Sequence, residues 1–203
     1  TTDAAALTGT AGITGSAVFG QILTASLSGS NNTGTLSYQW IRGSTDIPLA
    51  ASSTYVLVEA DVGAQISVRI TSSVESGTVT SAPTAAVQKA DCLTATGITP
   101  VLSAKTDISV TLASVPGYEY VCVANGAAVG TGTWQYSNVF TGLTGSTAYD
   151  FYQRVKETTA YKASGVSEKL DVTTDAPLVY SASIAPLSKV FPAATEEYGV
   201  QAA

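Results

Sequence analysis

Turn-forming residues recur at short intervals along this chain, and that rhythm limits the fold more than any other feature. The stretches "LTGTAG", "LSGSNNTGT", "RGSTD", "VESGTV", "ANGAAVGTGT" and "TGLTGST" punctuate it. Between them lie short alternating runs of Val, Ile, Thr, Tyr and Leu at 22–27, 36–42, 65–70, 108–112, 118–123 and 148–156. Alternation of apolar and polar side chains is the pattern of a strand with one face buried, and clusters of Gly, Asn, Asp and Ser are where strands turn. Many short strands at steady spacing close into sandwiches or barrels. Helical spacing is nearly absent: "VEADVGA" offers one turn, and Gly63 suits a strand connection better. The chain is expected to be all-β, with little or no helix.

Composition narrows the chemistry. Hydrophobic residues make up 45% of the 203 and charged ones only 12%, so polarity comes from Thr, Ser, Gly and Asn, a profile of exported β proteins. A net charge of -6 with no basic cluster repels phosphate backbones, which argues against nucleic acid. No run approaches the ~20 apolar residues of a membrane helix. The chain opens at "TTDAAALTG" without Met or signal-peptide regions, and the expectation is a longer parent protein.

His and Met are both absent, which removes the commonest general base near neutral pH and the commonest metal ligand. Without His no Ser-His-Asp triad can form, and no Gly-x-Ser-x-Gly elbow is present. The paired carboxylates Glu59 and Asp61, and Glu196 and Glu197, read as a solvated turn and a tail. No catalytic residue, cofactor site or resident metal is expected. Cys92 and Cys122 are too few for a Cys-only zinc site; a disulfide or two free thiols remain, and an exported chain favours the disulfide.

Two breaks interrupt the rhythm, at "SAPTAAVQKADC" and "VTTDAPLVYS". They divide the chain into 1–88, 89–176 and a tail, 177–203, too short to bury a core alone. The tail is either the start of a further module or an added edge strand.

In the first piece, "TLSYQWIRGSTDIPLAASSTYVLVEADVGAQISVRI" resembles a bacterial immunoglobulin-like repeat of surface proteins and adhesins. The resemblance places Trp40 at the buried strand-C tryptophan of such sandwiches, without the usual cysteine pair beside it. Asp61 and Gly63 resemble the turn before strand F, with Ile66, Val68 and Ile70 then facing one side, and "GTVTSAPTAAV" would serve as strand G. In the second piece, "NVFTGLTGSTAYDFYQRVKET" resembles a fibronectin type III domain. Leu143, Thr147 and Tyr149 match that family's tyrosine corner, whose phenol bonds back to the preceding turn. Tyr149, Phe151, Gln153 and Val155 then share the core face, and Asp150, Tyr152, Arg154 and Lys156 the outer one. The elongated "CVANGAAVGTGTW" departs from the family pattern.

These resemblances imply two tandem antiparallel β-sandwiches, immunoglobulin-like and fibronectin type III-like, in an extracellular, cell-surface or cell-wall protein of bacteria. The implied role is a non-catalytic spacer with a part in adhesion. The alternative is a module binding a cell-surface glycan or host protein through exposed aromatics. Trp134 and Tyr136 share one face of a short segment, and Tyr161 lies in the same piece. Three further options have weaker patterns. Asp91, Asp107, Asp171 and Asp175 could hold Ca²⁺ if they converged at the junction. Lys105 or Lys169 could crosslink to Asn138. Asn31-Asn32-Thr33 fits a glycosylation sequon but reads as a turn.

Overall fold

The structure, a computed structural model, describes residues 3–92 and 98–179. Among these, thirteen strands pair only antiparallel, and the remaining regular structure is two single 3-10 turns, 59–61 and 129–131. In the first half the strands are β1 (Thr10–Thr14), β2 (Ile22–Ser28), β3 (Leu36–Arg42), β4 (Thr45–Asp46), β5 (Thr54–Val56), β6 (Ile66–Ser72) and β7 (Val79–Thr80). They form a three-stranded sheet, β1-β2-β5, and a four-stranded sheet, β4-β3-β6-β7. In the second half they are β8 (Leu102–Lys105), β9 (Ser109–Leu112), β10 (Tyr118–Ala124), β11 (Val139–Thr141), β12 (Ala148–Val155) and β13 (Leu170–Thr173). Their sheets are β11-β9-β8 and β10-β12-β13. With the short edge strand β4 set aside, both halves build the same arrangement in chain order, the first, second and fourth strands in one sheet and the third, fifth and sixth in the other. The chain is two β-sandwiches with one strand order used twice.

Each sandwich has its own core. Leu23, Trp40, Leu57, Ile66, Val68 and Ile70 fill the first, and Val110, Leu112, Tyr120, Phe140, Phe151 and Val172 the second. The alternation that marks β6 in the sequence places Ile66, Val68 and Ile70 inward, each fully buried. Trp40 is also fully buried, stacks on Tyr55 at 5.6 Å, and satisfies its indole N–H on the Ser52 carbonyl at 2.8 Å. A ring of that size removed from a core costs about 3–5 kcal/mol, so this position needs no cysteine pair to anchor the sandwich.

The final strand of the first sandwich is shorter than expected, and hydroxyl groups explain why. "GTVTSAPTAAV" contributes only Val79–Thr80 to the ladder. Beyond it, Ser81 donates its amide to the Val68 carbonyl (2.9 Å) while its Oγ accepts the Val68 N–H (3.1 Å). Thr84 repeats this with Ile66, at 2.9 and 3.1 Å. In the second sandwich Ser164 pairs in the same way with Val155, and Ser167 with Gln153. Thr84, Ser164 and Ser167 each pass the hydroxyl hydrogen to the carbonyl of the next residue. A side-chain oxygen thus replaces a backbone carbonyl, three edge residues span two of the neighbour, and the outward edge loses its regular register. An edge so broken, with Pro83 inside one copy, is a poor template for another chain.

Residues 87–90 join the halves. Val87 exchanges hydrogen bonds with Gly63 and Ala64, and Gln88 with Ala17 and Phe19, all in the first sandwich. Two residues on, Ala90 accepts from Lys162 and donates to the Ala160 carbonyl, in the second. Lys89 between them holds Glu157 (2.5 Å) and the Thr158 carbonyl (2.6 Å), and Phe19 meets Tyr161 edge-on at 5.3 Å.

Candidate functional site

The outer face of β12 is where the structure departs most from the sequence expectation. Alternation places Asp150, Tyr152, Arg154 and Lys156 there, facing solvent. Asp150 is instead 1% exposed, and on the paired strand β10 Glu119, Val121 and Val123 are also buried. The cover is the segment 125–138, the elongated stretch after β10. It returns along the edge of β10, where Gln135 exchanges both backbone hydrogen bonds with Tyr120 (2.8 and 2.9 Å), and turns its side chains onto the outer face. At Gly132 this flap lies so close that a Cβ would stand 2.4 Å from Val121, 2.8 Å from Val123 and 2.9 Å from the Cys122 carbonyl. Glycine is required there by space, not by dihedral angle.

The flap delivers two aromatic rings onto two cations. Trp134 lies over the Arg154 guanidinium, 4.1 Å from the ring centroid, and Tyr136 over the Lys156 ammonium at 4.0 Å. Alternation puts residues 134, 136, 154 and 156 on the same outer face, and the two cations reach their rings across β10, which lies between the segment and β12. Arg154 is also held by Glu119 at 2.6 Å. The cations beneath each ring contribute about 0.5–2 kcal/mol per contact, depending on desolvation. Trp134 is half-buried and Tyr136 is 64% exposed, so the second ring presents its free side to solvent. Tyr161 is not part of this arrangement: it packs on Phe19 at the junction. Sequence reasoning named Trp134 and Tyr136 but missed Arg154 and Lys156 as their partners, although the matching two-residue spacing was visible.

Asp150 anchors the start of the flap. Its carboxylate accepts from the Gly126 amide (2.9 Å) and from Asn125 Nδ2 (3.2 Å), with Lys169 Nζ at 3.6 Å. Lys169 also meets Asp171 at 2.8 Å. That bond is the main reason the ammonium's pKa is raised and the Asp171 carboxyl's is lowered. Tyr149 sits beside this on the core side, its phenol oxygen accepting the Thr144 amide at 3.0 Å and its ring packed on the second core with Leu143. Tyr120 makes a second such tie, accepting the Val115 amide at 2.7 Å.

The first sandwich carries a buried ion pair instead of a solvated turn. Asp61 is fully buried and accepts from Arg42 Nε (2.7 Å), the Tyr55 hydroxyl (2.9 Å) and the Val58 amide (2.7 Å). The Arg42 pKa is raised, chiefly by this bond. Burial, then the bond to Asp61, pushes the Tyr55 phenol up to about 12. Glu75 accepts from Ser72 Oγ (2.6 Å) and from the Thr33 hydroxyl and amide, which hold its carboxyl down at about 2.

Cys92 and Cys122 are free thiols, so the expected disulfide is not formed. Cys122 lies four residues up β10 from Tyr118, roughly 13 Å at strand rise, whereas the chain two residues before Cys92 is tied beside Ala160 and Lys162, past the far end of β12. Burial, then the Asp150 charge, raises the Cys122 thiol to about 11. Asp91, Asp171 and Asp175 do not converge: each pairs with a lysine, Lys162, Lys169 and Lys105 respectively. Among the described residues no three acidic, Cys or His side chains gather. Asn138 donates to the Leu112 carbonyl and neither Lys105 nor Lys169 reaches it by a hydrogen bond. Asn31 of the sequon uses its amide to tie the chain at Ala6 and Thr8. Glu196, Glu197 and the rest of 180–203 lie outside the described residues. A shallow cleft of about 280 Å³ lies in the first sandwich, lined by Pro48, Leu49, Ala51, Tyr55 and Val56, with no converging acids.

No protein-family model matches the chain, and no curated protein does. Solved structures with a similar course include two tandem fibronectin type III segments from chicken. The FN1–FN3 domains of contactin align at 15% identity and TM-score 0.35, over 85% of this chain and 69% of that one. A two-domain segment of tenascin aligns at 14% identity and TM-score 0.36, over 85% and 97%. Both likenesses are faint, and the two-sandwich architecture rests on the strand pairing itself. No helix among the described residues is long and apolar enough to cross a membrane.

Proposed function

We propose that this chain is a non-catalytic spacer from a bacterial extracellular or cell-wall protein, two sandwich domains bounded at 88/89 and near 176, with a part in adhesion through neighbouring regions. The observation that carries this reading is the joint: residues 87 and 88 hydrogen-bond to the first sandwich, and Lys89 and Ala90, directly after them, bond to Glu157, Thr158, Ala160 and Lys162 of the second. A linker whose every position is engaged transmits force and fixes spacing, which a flexible tether does not. Edges broken by Ser and Thr hydroxyls suit a module that must stand in series with others without pairing edge to edge.

A binding module is the second reading, favoured by the exposed face of Tyr136 beside Lys156. The two separate in one screen of the purified chain against glycans and extracellular matrix proteins, with Tyr136→Ala in parallel. Tyr136 is the better probe because Trp134 also packs the flap. No saturable binding by the folded chain supports the spacer. Saturable binding lost in Tyr136→Ala overturns it.

A further inference from the structure

Asn125-Gly126 is the only Asn-Gly pair in the chain, and it stands exposed where β10 ends and the flap begins. An Asn followed by Gly is prone to cyclise, because glycine has no side chain to hinder its amide nitrogen from reaching the asparagine carbonyl. Here both reacting nitrogens are bound to one group. The Gly126 amide, the nucleophile, donates to one oxygen of Asp150 at 2.9 Å, and Asn125 Nδ2, the leaving group, to the other at 3.2 Å. Asp150 is 1% exposed and its own position is fixed in the middle of β12, paired to Val123 and Asp171.

We propose that Asn125 is a deamidation site held in check by Asp150, and that its conversion releases the flap. In the reaction the Gly126 amide loses its proton to hydroxide and its nitrogen bonds to Asn125 Cγ. The Cγ–Nδ2 bond breaks, and Nδ2 leaves as ammonia after taking a proton from water. Water then opens the cyclic imide at either carbonyl, giving aspartate or isoaspartate at 125. The clamp opposes the first step twice. A carboxylate facing the Gly126 N–H disfavours the amide anion, and the side-chain amide is held towards Asp150. The product reverses the clamp's sign. A carboxylate at 125 faces the buried Asp150 carboxylate, a like-charge contact in place of a hydrogen bond, and the chain from Gly126 to Trp134 loses its anchor.

The test is peptide mapping by mass spectrometry of the full chain aged in mildly alkaline buffer, native and in urea. The NH-to-O mass change at Asn125 is followed, with Asn31, Asn32 and Asn138 as internal references. Native Asn125 should convert about tenfold or more slower than in urea, the factor expected when a charge-assisted hydrogen bond must break first. In folded Asp150→Asn the native rate should rise towards the urea rate. Aged native protein should also show increased Trp134 exposure to a fluorescence quencher, in proportion to conversion. Equal native and urea rates in the unmodified chain would overturn the clamp without need of any variant. Conversion with unchanged quenching would overturn the release of the flap.

Discussion

Asp61→Ala tests whether the first sandwich is held by a buried ion pair. The substitution removes one acceptor from three donors: Arg42 Nε, the Tyr55 hydroxyl and the Val58 amide. Arg42 keeps 31% of its side chain exposed and can turn to water, so the full 3–5 kcal/mol of a broken buried pair does not apply. Tyr55 and Val58 are left with unpaired polar groups, at about 1–3 kcal/mol each when wholly buried and less where water enters the space left by the carboxylate. Together these give a loss of about 3 kcal/mol. Equilibrium urea unfolding at neutral pH measures it, in a Trp134→Phe background so that Trp40 alone reports the first core. Tyr55→Phe beside it should cost about 1 kcal/mol. It should also remove a pH dependence. The folded phenol's pKa of about 12 lies above its ordinary 10, so its contribution is complete below pH 10 and is lost as pH rises towards 12. A loss under about 1 kcal/mol for Asp61→Ala, the range of a surface ion pair, would refute the reasoning.

Tyr149→Phe should cost about 1 kcal/mol in the second sandwich, read by Trp134 fluorescence in urea, because the Thr144 amide loses its acceptor. Gly132→Ala should destabilise by about 1–3 kcal/mol and raise quencher access to Trp134, since its Cβ collides with Val121, Val123 and a backbone carbonyl. Glu75 contributes stability that is complete above its unfolded value of 4.5 and lost as pH falls towards 2; Glu75→Gln should flatten the acid limb of a melting-temperature profile over that range. Both thiols should react with a disulfide reagent in urea without reductant, and Cys122 should react far more slowly in the native chain, its thiol being raised to about 11.

Much of the fold was legible because it is written locally. Alternation over a few residues places Ile66, Val68 and Ile70 on one face of β6, and the spacing of Leu143, Thr147 and Tyr149 marks a corner whose bond spans only five residues. Trp134 and Tyr136 were legible as a pair for the same reason. Cys92 and Cys122 show the limit: oxidising context favours a bond, but sequence spacing carries no distance. The hydroxyl pairing was half legible. Ser81-Ala82-Pro83-Thr84 and Ser164-Gly165-Val166-Ser167 share a spacing, yet which backbone each hydroxyl meets depends on strand register.

By itself the sequence determined that the chain is all-β, where most strands run, and which side chains lead into the cores, because period-two patterning and turn chemistry act between near neighbours. Only the tertiary structure decided that Asp61 and Asp150 are buried, that 125–138 returns along β10 and turns Trp134 and Tyr136 onto the outer face, and that both halves share one strand order apart from β4. Burial of a charge depends on partners brought from elsewhere in the chain, Arg42 for one carboxylate and Asn125, Gly126 and Lys169 for the other. Those meetings are set by how sheets stack and loops return, and no local pattern encodes them.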